Sequence, residues 1–161
     1  LGVRFGNHLE DGMVARQLMR PFKEGIYVSR AYAEQHGIPQ TPEALAHHPL
    51  IGYRFISSNR TRPLALNING QTTTLDLAAP LLCNDPESIA DCTRMGLGIG
   101  RIFAVNMQAL PDKAEFIPVL EAYWCDSPPL YLYYLQHSQR AKRVQTVIDF
   151  LLEKAAAGGW L

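Results

Sequence analysis

The stretch from Asn84-Asp85-Pro86-Glu87-Ser88 to Met95-Gly96-Leu97-Gly98-Ile99-Gly100 reads as a capped helix that stops on glycine and enters a buried, glycine-studded strand. Asp85 can accept backbone N–H groups as N-cap, and Pro86 fits the first turn, where its missing N–H costs nothing. Gly96 follows Met95 as a residue able to close the helix in the left-handed conformation. This order argues against one large class of folds. A dinucleotide-binding loop needs a strand, then Gly-x-Gly-x-x-Gly, then a helix whose N-terminus meets the pyrophosphate. Here the glycines follow the helix and are spaced Gly-x-Gly-x-Gly, so nucleotide binding at this segment is disfavoured.

At 161 residues, 47% hydrophobic and 19% charged, the chain can bury a core as one domain or as two small lobes. Fifteen basic and fifteen acidic side chains cancel, leaving no long-range positive field to draw these residues to nucleic acid. No segment approaches the apolar length of a membrane span, and the N-terminus lacks a signal-peptide pattern. Because it opens at Leu1 directly in strand-like sequence, the chain is expected to be a piece of a longer protein. Cys83, Cys92 and Cys125 show no metal-like pairing. They read as reduced, mostly buried thiols of a cytosolic protein, with a redox pair as the competing reading. No basic neighbour marks an activated thiol.

Leu1–Gly6 reads as the end of a buried strand, and Gly25–Ser29 as a second strand, with Ser29 capping a short helix over 30–36 that Gly37 closes. Thr41 at N-cap and Pro42 at N1 start another helical turn, and Leu50–Phe55 reads as a strand. Leu64, Leu66 and Ile68 alternate with Ala65, Asn67 and Asn69, and Asn69-Gly70 turns the chain into Gln71–Leu77 as a hairpin. Pro86–Met95 is a helix, Leu97–Ile102 a strand and Phe103–Leu110 a short helix. Phe116–Leu120 and Leu130–Leu135 are further strands, the first held to a sheet edge by Pro118. Val144, Val147, Ile148, Leu151, Leu152 and Ala155 form the apolar stripe of a terminal helix. The mixture indicates an α/β fold.

The order of these pieces resembles the C-terminal effector-binding domain of LysR-type transcriptional regulators. The resemblance is carried by Gly2–Gly6, Val14–Leu18, Ser29-Arg30-Ala31-Tyr32, His36-Gly37-Ile38-Pro39, Thr41–Leu45 and His48-Pro49-Leu50. It continues through Asn84-Asp85, Met95–Gly100 and Pro129–Leu132 into the terminal helix, collinear over nearly the whole chain. It implies a type II periplasmic-binding-protein-like fold, with two α/β subdomains joined by two crossover strands near Val28-Ser29 and Leu130–Tyr133. Residues 1–28 with 130–161 would form the first subdomain, incomplete here, and 29–129 the second. The N-terminal winged helix-turn-helix is absent from this sequence, so promoter DNA would be reached only through that missing domain.

The resemblance also implies a small effector, often an anion, bound between the subdomains of a cytoplasmic regulator that assembles as a dimer or tetramer. The effector-binding residues expected are Asn7, Arg54, Phe55, Ile56, Ser57, Asn84, Asp85 and Gly98. Arg54 could hold a carboxylate bidentately, or serve in a salt bridge. Asp85 is sufficiently explained as a cap, and the glycines by helix termination and strand packing. Arg4 reads as a structural partner, and Arg101 could point to either face of its strand.

No cofactor, metal site or catalytic residue is expected. There is no Gly-x-Ser-x-Gly elbow and no phosphate-cradling Gly-Lys-Ser/Thr loop. His47 and His48 are adjacent and cannot share one face as a chelating pair. The competing function is a solute-binding protein, or an enzyme, of the same fold.

Overall fold

The computed structural model describes residues 1–6, 11–56, 58–138 and 141–161. In chain order the strands and α-helices are β1 (Gly2–Phe5), β2 (Met13–Met19), β3 (Glu24–Ser29), α1 (Arg30–His36), β4 (Leu50–Arg54), β5 (Thr61–Arg62), β6 (Leu64–Ile68) and β7 (Gln71–Leu75). Then follow β8 (Leu81–Cys83), α2 (Pro86–Arg94), β9 (Ile99–Phe103), α3 (Ala104–Ala109), β10 (Phe116–Val119), β11 (Leu130–Leu135) and α4 (Lys142–Ala157). The chain divides into two compact units, Leu1–Phe22 with Asp126–Leu161, and Lys23–Cys125.

In the first unit β11 is the central strand of an antiparallel sheet, between β1 and β2. Alternation along β11 divides its faces. Leu132 and Tyr134 pack with Leu18, Ile148 and Ala155 against α4. Tyr133, also buried, points the other way, under the Arg4 guanidinium 5.3 Å from its ring centroid, and its hydroxyl donates to the Gly6 carbonyl. Arg4 is therefore a structural partner, as its position predicts. The apolar stripe of α4 holds except at Val147, which is exposed. β1 departs from expectation. All four of its residues are exposed, because it lies at a sheet edge rather than within a covered sheet.

The second unit is a mixed sheet ordered β10-β3-β9-β4-β5, with β8 also pairing β4. Its two faces carry separate cores. Ile26, Val28, Leu50 and Ile99 face one way with Leu64 and Leu66 of the β6–β7 hairpin and Tyr32 of α1. Tyr27, Ile51 and Ile102 face the other way with Ile89 and Ala90 of α2. Period-two alternation in β3, β4 and β9 thus builds a sheet covered on both faces.

Local signals account for most boundaries. The Ser29 hydroxyl accepts the Tyr32 amide at the start of α1, and Gly37 ends that helix at φ 74°. The Asp85 carboxylate accepts the Ser88 amide at 2.8 Å, capping α2. Asn69 and Gly70, both at positive φ, form the two-residue turn between β6 and β7. β10 lies at the sheet edge, where Pro118 removes no ladder bond from a central strand. Two starts differ from expectation. The turn after Thr41 is a 3-10 helix over Glu43–His47, with Pro42 just outside it. β9 begins at Ile99, not Leu97, because Gly96 and Gly98 both take positive φ and turn the chain before the ladder forms. Among the described residues no helix is long and apolar enough to cross a membrane.

Candidate functional site

β9, β4 and β8 run parallel, and the register of Tyr53 with Cys83 sets the carboxyl ends of β4 and β8 level. Carboxyl ends of parallel strands are where open α/β sheets present chain for ligand binding. Arg54, Phe55 and Ile56 leave β4 at that end, and Asn84 and Asp85 leave β8 beside them. Five of the eight expected residues therefore share one end of one sheet. Asn7 and Ser57 lie outside the described residues.

Gly98 sits elsewhere. It precedes β9, whose Ile99 pairs with Leu50, so it lies at the amino end of the same strands. β4 spans five residues, which puts the two ends about 13 Å apart. A β carbon on Gly98 would come within 2.4 Å of the Pro49 carbonyl oxygen, the atom that accepts the Ile99 amide. Close strand packing accounts for this glycine.

Between β4 and β5 the chain closes a tight loop. The Phe55 amide donates to the Arg60 carbonyl and the Asn59 amide to the Phe55 carbonyl, each at 2.9 Å, with Asn59 left-handed at φ 55°. The loop borders a cavity of about 580 Å³ lined by Phe55, Ser58, Arg60, Thr61 and Pro63. Phe55 packs edge-on to Tyr53, while Ile56 is 79% exposed. Arg54 is exposed. Among the described residues neither Arg54 nor Arg60 has a side-chain hydrogen bond or ion pair, and a guanidinium is a group that can grip an anion with two bonds.

A buried charge network fastens the far end of this loop. Arg62 grips the Glu24 carboxylate with two bonds of 2.7 and 2.9 Å. The Arg101 side chain is only 4% exposed and lies 3.7 Å from the same carboxylate. It donates to the Pro63 carbonyl at 2.6 Å and the Arg62 carbonyl at 3.4 Å. Burial lowers the Arg101 guanidinium from its usual range, and the Glu24 charge opposes that shift. Sequence alone leaves the direction of Arg101 open, and it overlooks Ser58, Arg60 and Thr61. The only local hint was Arg60-Thr61-Arg62-Pro63, a basic pair beside a proline.

Asp85 is engaged as a cap. The Ser88 hydroxyl, then the Ser88 amide, hold its carboxyl below the usual carboxylate range. Asn84 is exposed beside it. No group of three or more His, Cys, Asp and Glu side chains among the described residues is placed to hold a metal ion. His48 is instead committed to the Tyr32 hydroxyl, 2.8 Å from its Nδ1.

Residues 1–156 match the family described as the LysR substrate binding domain. A putative transcriptional regulator of Pseudomonas aeruginosa is 26% identical over 151 residues, covering 93% of this chain and 49% of the relative. The HTH-type transcriptional activator AaeR of Escherichia coli is 23% identical over 145 residues, covering 90% of this chain and 46% of the activator. The chain thus spans about half the length of the curated relatives it matches. In fold it is similar to CrgA, a LysR-type transcriptional regulator from Neisseria meningitidis. That match has a TM-score of 0.80 at 22% identity, covering 95% of this chain and 51% of the other.

Proposed function

The chain belongs to the LysR substrate binding domain family, and on that premise we infer that it senses a small anionic effector for a cytoplasmic, DNA-binding transcriptional regulator. It binds rather than catalyses, and promoter contact is made by a separate helix-turn-helix domain of the regulator, which works as a dimer or tetramer. Effector binding favours one of two conformations and so changes how the DNA-binding heads sit on the promoter. The observation that carries the reading is the pair of guanidinium groups at the carboxyl end of β4, Arg54 and Arg60, which make no side-chain hydrogen bond or ion pair among the described residues, with Arg60 lining the cavity there. Asn7, Phe55, Ile56, Ser57, Asn84 and Asp85 would complete the surroundings of the ligand. Gly98 would act through packing of β9 on Pro49 and not by touching the ligand. The relatives carry the names of transcriptional regulators, which favours sensing over solute transport or catalysis.

Calorimetric titration with acetate, succinate and benzoate tests the site. Arg54→Ala should weaken the best-binding carboxylate by about 1.5–3 kcal/mol, the worth of a charge-assisted bond, with little change in the unliganded melting temperature. Unchanged affinity with a large loss of stability would make Arg54 a structural residue and remove the basis for an anion site here. Without the helix-turn-helix domain, the chain should show only weak, salt-sensitive binding to promoter DNA, read by fluorescence anisotropy.

A further inference from the structure

The sulfur atoms of Cys83 and Cys92 lie 3.9 Å apart, the first on the last residue of β8 and the second on the second turn of α2. Both thiols are half-buried, beside the core that α2 makes with the sheet. Between them in sequence runs the Asn84-Asp85 turn, held by the two bonds that Ser88 donates to the Asp85 carboxylate. We propose that Cys83 and Cys92 form a reversible intramolecular disulfide, by exchange with a small-molecule disulfide, that staples β8 to α2 across this turn.

The geometry requires little movement. A disulfide brings the sulfurs to about 2 Å, a shift that side-chain torsions can supply when the backbone already places them this close. The nine-residue separation closes a small loop, so the bond gains somewhat less from unfolded-state entropy than a long-range one, and native geometry also sets its strength. Both sulfurs are only half-buried, and exposure is what keeps a disulfide open to exchange.

Burial, then the contact with Cys92, pushes the Cys83 thiol up to about 11. Cys83 therefore stays protonated at neutral pH, and its S–H can donate toward the Cys92 sulfur. Exchange can begin at either sulfur with the same balance, and takes this course from Cys92. As thiolate it displaces one half of the small disulfide, breaking that S–S bond, and the leaving thiolate takes up the proton that Cys92 gave to solvent. Cys83 then attacks the Cys92 sulfur of the mixed disulfide and loses its proton to the second departing thiolate. Two protein thiols are oxidised, and one small disulfide is reduced to two thiols. The second step outcompetes further exchange because its nucleophile is already in contact. Cys125 is on a different segment, and its backbone carbonyl accepts the Glu24 amide.

The test is equilibration of the protein in graded mixtures of reduced and oxidised glutathione, with acid quenching, alkylation and peptide mapping by mass spectrometry. The expected product is a Cys83–Cys92 cross-linked peptide within one chain, with Cys125 alkylated and full reversal by dithiothreitol. Cys83→Ser and Cys92→Ser should each abolish the cross-linked peptide, leaving the remaining thiol alkylated or as a mixed disulfide with glutathione. Amide exchange over residues 84–90 should slow in the oxidised protein. Three alkylated thiols throughout, a linkage through Cys125, or unchanged exchange over 84–90 would each overturn the proposal. None of these readouts involves an effector, so the result stands apart from the assignment of the anion site.

Discussion

Thr93 fills the space that a side chain on Gly100 would need. Its Oγ1 lies 1.8 Å from where a β carbon on Gly100 would fall, and it donates to the Ile89 carbonyl at 2.7 Å. Thr93 is fully buried, so α2 rests on β9 at the one position where the strand has no side chain. Gly100→Ala should therefore cost about 3 kcal/mol of unfolding free energy, the upper part of the range for overpacking a core. The double variant with Thr93→Ala should recover part of that loss, since the two sites are in contact. Urea denaturation followed by Trp124 fluorescence would measure both, and a neutral Gly100→Ala would show that α2 does not sit this close.

Among the described residues the Glu24 carboxylate is the acidic group paired with both Arg62 and the buried Arg101. Removing it leaves a buried guanidinium without a counter-charge, which typically costs about 3–5 kcal/mol. Glu24→Ala should fall in that range. Glu24→Gln should lose less, because its amide oxygen can still accept from Arg62. Chemical denaturation of the three proteins at one pH would separate these outcomes, and a loss below about 1 kcal/mol for Glu24→Ala would argue against a buried network.

His48 gives the fold a pH-dependent contribution with a definite sign. Burial, then the neighbouring His36 and His47, lower its folded-state pKa below the ordinary 6.5. Protonation therefore disfavours the folded state, and stability should fall as pH drops through and below about 6.5. Thermal melts between pH 7.5 and 5 should show this decline, and His48→Gln should flatten it. The same slope in wild type and variant would assign the effect to other groups.

Asp85 works in the opposite direction. Its carboxyl is held low by Ser88 in the folded state, so its contribution is full above the unfolded value of 3.8 and is lost as pH falls through the folded one. Asp85→Ala should destabilise at neutral pH, and Asp85→Asn should retain most of the cap. The difference between wild type and Asp85→Ala should shrink in melts at pH 3. A gap that persists there would mean that the ionised carboxylate is not what caps α2.

Oxidation of the Cys83–Cys92 pair offers a fifth measurement. Because the linkage would tie β8 to the helix that Asp85 caps, the oxidised protein should tolerate Asp85→Ala better than the reduced one. Paired melts with and without dithiothreitol would read this, and equal losses in both states would uncouple the thiols from the turn.

Much of the fold was legible in short stretches of sequence, because the signals concerned are completed within a few residues. Ser29 and Asp85 cap the helices that follow them, Asn69-Gly70 closes its hairpin, and Pro118 keeps β10 at an edge. The stripe from Val144 to Ala155 marks α4, although it does not reveal that Val147 stays exposed. The candidate site was legible in part. Arg54 lies at the end of a strand that sequence suggests, but its nearness to Asn84 depends on the parallel pairing of β4 with β8.

Local chemistry thus determined many of the element types and most caps and turns, since each depends on neighbours within one or two turns of chain. Tertiary structure decided whatever depends on segments far apart in sequence meeting in space. It buried Arg101 against Glu24 and the Arg62–Pro63 backbone, and it placed Gly98 at the end of the sheet away from Arg54. It exposed β1 at a sheet edge and set Cys83 against Cys92. The physical reason is strand order: a residue's own sequence can state its face on a strand, but which strand lies beside it is settled only by the packing of the whole sheet.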